Sequence, residues 1–309
     1  MRILVIGGTG FIGRHLVARL AAAEHAVLVP TRALARGRDL QVLPSVTLVQ
    51  ADIHDDAVLD NLLRQTDVVI NLVGLLHGNR GRPYGSDFAR AHVLLPERIA
   101  QACRRNGVHR MLHISALGAD PAGASMYLRS KGDGEAAIIG TFADAHESAW
   151  TIFRPSVVFG PDDNFTNMFA RLARWFPVLP VAGTDARMQP VFVGDVADAM
   201  VAALNNNHTR GKVYELGGPQ EYTLGELVRL CAHWSGHPRP VISLPMSVGR
   251  LQAGMLGLLP GEPLMSGDNL DSLSVPSVLS GPLAPELKLV PTALDALAPS
   301  YLGPTPTRR

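Results

Sequence analysis

The chain has 309 residues, 47% of them hydrophobic and 18% charged, with a formal net charge of +1. That length makes one large α/β unit or two small domains, and the composition excludes a disordered chain and argues against bulk electrostatic capture of nucleic acid. Two widely separated cysteines, Cys103 and Cys231, argue against a disulfide framework, and no run of 18 apolar residues or signal-like leader appears, so a reducing, cytoplasmic setting is expected.

Short apolar runs then alternate with longer amphipathic ones. Strands are predicted at Ile3–Ile6, Ala26–Pro30, Val46–Gln50, Asp67–Leu72, Arg110–Ile114 and Trp150–Phe153. Helices are predicted at Phe11–Ala23, Asp55–Gln65, Phe88–Asn106 (with Pro96 inside it and Gly107 as its cap) and Tyr127–Phe142. This alternation predicts an α/β, Rossmann-type doubly wound parallel sheet. After Gly160 the pattern loosens. A helix is expected at Met168–Phe176, then a strand at Val191–Val193 leading into a helix through Asp195–Leu204. A strand follows at Val213–Leu216, then a helix ending near Ser235, opened by a Thr223/Glu226 capping box. From Pro238 onward prolines crowd the chain, which predicts a small irregular lobe and a poorly ordered Pro-Thr-Arg tail. The expected division is a dinucleotide-binding unit over 1–160 and a substrate lobe over 161–309, interleaved with the last Rossmann elements.

Gly7, Gly10 and Gly13 lie between the first strand and the first helix, opened by Phe11 and Ile12. Glycines there permit a tight turn and a close approach of backbone to a pyrophosphate, while the helix N-terminus offers free N–H groups and positive dipole. The end of the second strand carries Arg32, with Arg36 and Arg38 beyond and no acid in place. A guanidinium there suits a ribose 2′-phosphate and a carboxylate would repel it, so NADP(H) is favoured, with NAD(H) as the alternative. Asp52, beside Ile53, is a candidate for the adenine amino group; otherwise it caps a helix.

Tyr127 and Lys131 stand at i, i+4 at the start of a predicted helix. With five tyrosines and three lysines in the chain, such a pair is seldom a coincidence. A tyrosine near its reference pKa of about 10 is a poor base at neutral pH, and a nearby ammonium favours its anion.

GGTGFIG, ISALGAD, YLRSK with GDGE, FRPSVVFGP and QPVFVGDVADA together resemble the extended short-chain dehydrogenase/reductases, also described as epimerase/dehydratase-like. They look most like the atypical branch related to the NADPH-binding accessory subunit of mitochondrial complex I. The resemblance implies a Rossmann fold with a small substrate lobe, and relatives in quinone metabolism and respiratory-complex assembly. By position it implies Tyr127 as acid/base, Lys131 as its partner and ribose contact, and Ser115 near a substrate carbonyl. It places Asn71, Leu72, Val73 and Gly74 beside the cofactor ribose, and Pro155 to Val158 along the nicotinamide. Arg187, near Gln189, is where relatives can face an anionic substrate. Ser115 is followed by Ala116 where relatives carry further hydroxyls, which leaves turnover open though not cofactor binding.

Cys231, His233 and His237 lack a completing carboxylate, so no metal is expected. Met246–Leu259, rich in Met, Leu and Gly, reads as lobe packing or as a surface for a bilayer or an apolar substrate. The leading expectation is an NADP(H)-dependent oxidoreductase acting on a small carbonyl or hydroxyl substrate. The alternatives are a sugar-nucleotide epimerase or dehydratase, and a non-catalytic NADPH-binding accessory or assembly protein of a membrane quinone enzyme. That last reading brings a respiratory complex or membrane surface as partner and a location peripheral to the inner membrane.

Overall fold

In the computed structural model, residues 1–143, 149–256 and 265–303 are described. The chain runs β1 (Arg2–Ile6), α1 (Phe11–Ala22), β2 (Ala26–Thr31), β3 (Val46–Gln50), α2 (Asp56–Leu63) and β4 (Val68–Asn71). A short turn α3 (Ser86–Phe88) and a π-helical segment (Ala89–Leu94) lead into α4 (Leu95–Arg105), β5 (Met111–Ile114), α5 (Met126–Thr141) and β6 (Trp150–Pro155). Then come β7 (Val158–Phe159), α6 (Thr166–Trp175), β8 (Leu179–Ala182), β9 (Arg187–Met188), β10 (Val191–Phe192) and α7 (Val193–Leu204). The last are β11 (Lys212–Leu216), β12 (Tyr222–Thr223), α8 (Leu224–Trp234), β13 (Val241–Leu244), α9 (Met246–Leu256), α10 (Gly267–Ser272) and α11 (Leu294–Leu302).

Seven strands form one parallel sheet in the order β11-β6-β5-β4-β1-β2-β3. A parallel sheet is buried on both faces, which is why these strands read as near-continuous apolar runs. The period of two sorts β1 cleanly. Ile3 and Val5 join the core under α1 and α7, with Leu16, Leu20, Val196 and Met200. Leu4 and Ile6 join the opposite core under α2, α4 and α5, with Leu59, Leu63, Ile99 and Ile138. Chain order reverses beside β1, where β2 lies on one side and β4 on the other, and that reversal opens a crevice beyond the carboxyl ends of the strands.

Three local expectations differ from the structure. The single helix over Phe88–Asn106 is interrupted by the π-helical turns of Ala89–Leu94, and α4 restarts with Pro96 in its first turn, where a missing N–H costs no helical bond. β6 runs on to Pro155, two residues past its expected end. The lobe is less irregular than its prolines suggest. β8 and β13 pair in parallel, Leu179 opposite Val241, although 62 positions separate those two residues.

The lobe has its own core, in which Phe159, Phe169, Leu227, Val228 and Leu294 are buried. The Thr223/Glu226 capping box is formed: Thr223 Oγ1 accepts from Glu226 N at 3.2 Å and Glu226 accepts from Thr223 N at 2.7 Å. Cys103 and Cys231 are free and buried in different cores. The end of the Met246–Leu259 segment, from 257, and the tail from 304 lie outside the described residues. Among the described residues no helix is long and apolar enough to cross a membrane.

Candidate functional site

Gly7 leaves β1 with φ +87°, in the left-handed region, and a Cβ there would lie 3.1–3.2 Å from Leu72 and Val73 at the end of β4. Gly10 is the N-cap of α1, without a side chain to cap it, and the first turn carries no acid. Phe11 and Ile12 follow, partly buried, so the turn presents backbone donors and positive dipole with no competing carboxylate on the helix. Gly13 is the packing glycine: a Cβ would sit 2.4 Å from Gly7 O. A cavity of about 260 Å³ opens beside this turn, lined by Thr9, Phe11, Arg14, His15, Asp162 and Asn164. The glycine turn and the α1 N-terminus fit a pyrophosphate, whereas the Asp162 carboxylate in the cavity wall does not.

Arg32 follows buried Thr31 directly and is exposed, as are Arg36 and Arg38 in the helical turn behind it. The acid of that turn, Asp39, is held by Arg14 at 3.2 Å. Asp52 accepts a hydrogen bond from His54 N at 3.0 Å, and the N-cap of α2 is Asp55, which accepts from Ala57 N and Val58 N. Asp52 is therefore not the cap. Ile53 packs partly buried against the α2/α4 core.

Across the crevice, α5 brings Lys131 to the ends of β4 and β5, with Tyr127 one turn earlier against Phe88 and His92. A Cβ on Gly134 would lie 1.9 Å from His92 O, so a glycine at 134 is what lets α5 rest on the π-helical segment. Lys131 is buried, and its Nζ donates to Ile114 O at 3.2 Å. Desolvation pulls its pKa down to about 8, against the pull of Glu135 one turn on. Glu135 is itself buried and gripped by Arg154 at 2.5 Å. A Cβ on Gly74 would lie 3.2 Å from Lys131 Nζ and 3.8 Å from His92 Nε2, which fixes how closely β4's exit passes these groups. Ser115, just past β5, is buried, and its Oγ has no partner among the described residues.

Tyr127 is half-buried, and desolvation pushes its phenol up to about 12. This differs from the expected lowering by Lys131. The ammonium is turned to the Ile114 carbonyl, so burial of the phenol prevails and Tyr127 is a protonated donor at neutral pH.

Three residues of this cluster, His92, Ser130 and His113, gave no clear sequence signal. His92 Nε2 accepts from Leu75 N at 2.9 Å, so Nδ1 carries the proton and donates to Ser130 Oγ at 2.8 Å. Ser130 Oγ in turn donates to Tyr127 O at 2.8 Å, and the His92 ring stands edge-on to Tyr127, centroids 5.5 Å apart. Beneath it Asn71 Nδ2 meets His113 Nδ1 at 3.1 Å, which leaves His113 Nε2 buried without a partner among the described residues. Burial and the Lys131 charge push His92 down to about 2 and His113 well below its usual range. A lone histidine in a helical stretch carries no motif; only the packing of α5 on the π-helical turns joins them.

Pro155 closes β6, its carbonyl accepting from Leu117 N at 3.0 Å, and Val158 pairs with Val191. Arg187 is exposed on β9, and its guanidinium is engaged by Glu221 instead of standing free.

A model of the NAD dependent epimerase/dehydratase family matches residues 3–217. A Mus musculus protein, NADH dehydrogenase (ubiquinone) 1 alpha subcomplex subunit 9, mitochondrial, is 32% identical over 98% of this chain and 76% of its own length. The ceramide reductase of Caulobacter vibrioides is 33% identical over 82% of this chain and 76% of its own length. Among solved structures, the UDP-glucuronic acid 4-epimerase of Bacillus cereus, in complex with UDP-glucuronic acid and NAD, superposes with a TM-score of 0.72. It is 21% identical, over 98% of this chain and 99% of that one, a likeness of fold.

Two outcomes follow from the geometry. Gly10→Val meets only Gly7 O, at 3.2 Å from the new Cβ, so the variant folds but loses nucleotide binding, whereas Gly13→Ala, at 2.4 Å, destabilises the loop itself. Thermal melting beside cofactor titration separates the two. His92 and His113 stay neutral when folded and take up protons when unfolded, so their contribution is complete above about pH 6.5 and is lost as pH falls below it. Each costs on the order of 1.4 kcal/mol per pH unit there. Melting between pH 7 and 5 should show this fall, with a shallower slope in His113→Gln.

Proposed function

Since this chain belongs to the NAD dependent epimerase/dehydratase family, we propose that it is an NADP(H)-dependent oxidoreductase of the short-chain dehydrogenase/reductase type, acting on a carbonyl or hydroxyl substrate. The observation that supports this reading is buried Lys131, one turn after Tyr127 on α5, donating to Ile114 O at the end of β5, next to a Ser115 hydroxyl that has no partner among the described residues. A bound nicotinamide supplies the hydride donor or acceptor. The α1 N-terminus holds the pyrophosphate, Lys131 the ribose hydroxyls, and Arg32 the 2′-phosphate. Ser115 Oγ, a donor without a partner among the described residues, orients a substrate oxygen. The Tyr127 phenol, protonated at neutral pH, gives that oxygen its proton in the reductive direction. Arg187, already engaged by Glu221, is a candidate substrate contact only once that pair opens.

A second reading is favoured by the likeness, over 98% of the chain, to a protein named as a mitochondrial NADH dehydrogenase subunit. In it the nucleotide stabilises an accessory or assembly protein peripheral to a respiratory complex at a membrane. NADPH oxidation by the purified chain over a panel of carbonyl compounds decides between them. An inert protein that NADPH nevertheless stabilises against heat supports the accessory role.

Arg32→Ala should cost NADPH about 1–3 kcal/mol of affinity and leave NADH nearly unchanged, as a charge-assisted contact requires. Equal wild-type affinity for the two cofactors overturns the assignment. Tyr127→Phe should lower turnover by at least about 10²-fold while cofactor affinity barely moves. Steady-state rates that match wild type would remove Tyr127 from the proton transfer.

A further inference from the structure

The helix that carries Tyr127 has no acid in its first turn, yet its leading N–H groups are all satisfied. Ser125, the N-cap, accepts from Leu128 N at 3.1 Å. The other two donors are met by a residue more than 140 positions away. Asp268 accepts from Met126 N at 2.6 Å with Oδ1 and from Tyr127 N at 3.0 Å with Oδ2. A carboxylate spanning two N–H groups at a helix start is a strong, charge-assisted cap. Its position is fixed: α10 opens with its own Ser266/Asn269 capping box, and Leu270 is fully buried. The carboxylate of Asp268 is thus spent on α5. Ser272, one turn on, donates to Ser125 Oγ at 2.8 Å, binding the two helix starts a second time.

The chain after α10 stays on the site. Val275 meets Gly118, just past β5, where a Cβ would lie 3.2 Å from it. Ser277 O accepts from Ser156 Oγ, just past β6, at 2.7 Å, and from Gln189 N at 2.9 Å. Leu279 N donates to Gln189 Oε1 at 3.0 Å. Asp268–Leu279 therefore runs as a strap along the carboxyl ends of β5 and β6, the edge at which such sheets take their ligands.

We propose that Asp268 is a positioning residue for Tyr127, and that the Asp268–Leu279 strap is the substrate-side wall of the site, so that seating of the C-terminal lobe sets the acid/base tyrosine. The proposal rests on the reading of Tyr127 as acid/base. Asp268 touches no reacting atom; it holds the backbone from which the phenol is aimed. Without it the first turn of α5 loses two capped donors and frays, and Tyr127 leaves its place against His92 and Phe88.

The test reads Tyr127 without any substrate, so an inert wild type, which would defeat the functional reading, leaves it decisive. Protein labelled with ¹³C at the tyrosine ζ carbon shows five side-chain resonances, with Tyr127 assigned by its loss in Tyr127→Phe. In Asp268→Ala the Tyr127 resonance should shift and broaden while the other four hold. Asp268→Asn, whose amide oxygen still accepts one bond, should lie between. NADPH affinity should stay within about threefold, because the glycine loop is remote from the change. If Asp268→Ala does not fold, Asp268→Asn and Ser272→Ala carry the same comparison. An unmoved Tyr127 resonance in a folded variant overturns the proposal. So does movement of all five together with loss of NADPH binding, which marks Asp268 as a general stabiliser.

Discussion

β1 and β4 lie side by side in parallel, Ile3 opposite Val68 and Ile6 opposite Asn71, and the chain leaves both strands at the same edge. Everything proposed for the site hangs on that seam. Because β2 lies on the far side of β1, the two exits diverge and leave a crevice between them. The exits still pass so closely that position 7 has no room for a Cβ without pressing on Leu72 and Val73. One side of the crevice is then the N-terminus of α1, open to an anion. The other is the run Leu72–Gly74, against which Lys131 and His92 are packed.

Electrostatics on that second side is governed by burial. Lys131 donates to one carbonyl and feels the Glu135 carboxylate one turn on, which Arg154 also holds. Two histidines close to this ammonium can be tolerated only as neutral rings, and their hydrogen bonds fix them so. His92 accepts a backbone N–H on one nitrogen, and His113 meets the Asn71 amide on one of its own. Among the described residues Ser115 Oγ and His113 Nε2 are left without a partner beside this ammonium, which itself donates to the Ile114 carbonyl.

The C-terminal lobe is bound to this arrangement at several points besides α5. α7 and β11, which follow residue 160, belong to the sheet unit: α7 packs on α1, and β11 pairs with β6 from Lys212 to Leu216. Buried Asp195 on α7 accepts from Thr292 N at 2.6 Å, fastening the segment that precedes α11. The two parts of the chain are therefore laced together at both ends of the lobe.

Strand and helix alternation, the glycine turn and the Tyr127/Lys131 spacing are local properties, set by side-chain period and by what a backbone turn allows, and so they were legible from the sequence alone. The six predicted strands of the first half lie in the sheet, and the Thr223/Glu226 box caps its helix. The break of the long helix at Ala89–Leu94 was not legible, because its residues suit an ordinary helix and the π turns answer to packing against α5. Asp268 and His92 were likewise invisible. A carboxylate that caps a helix more than 140 residues away, or a histidine held by a backbone N–H from another loop, leaves no spacing to read. The direction of the Tyr127 shift also belonged to the tertiary structure. Sequence places an ammonium one turn from the phenol, but burial, and the carbonyl to which that ammonium turns, decide which proton is held.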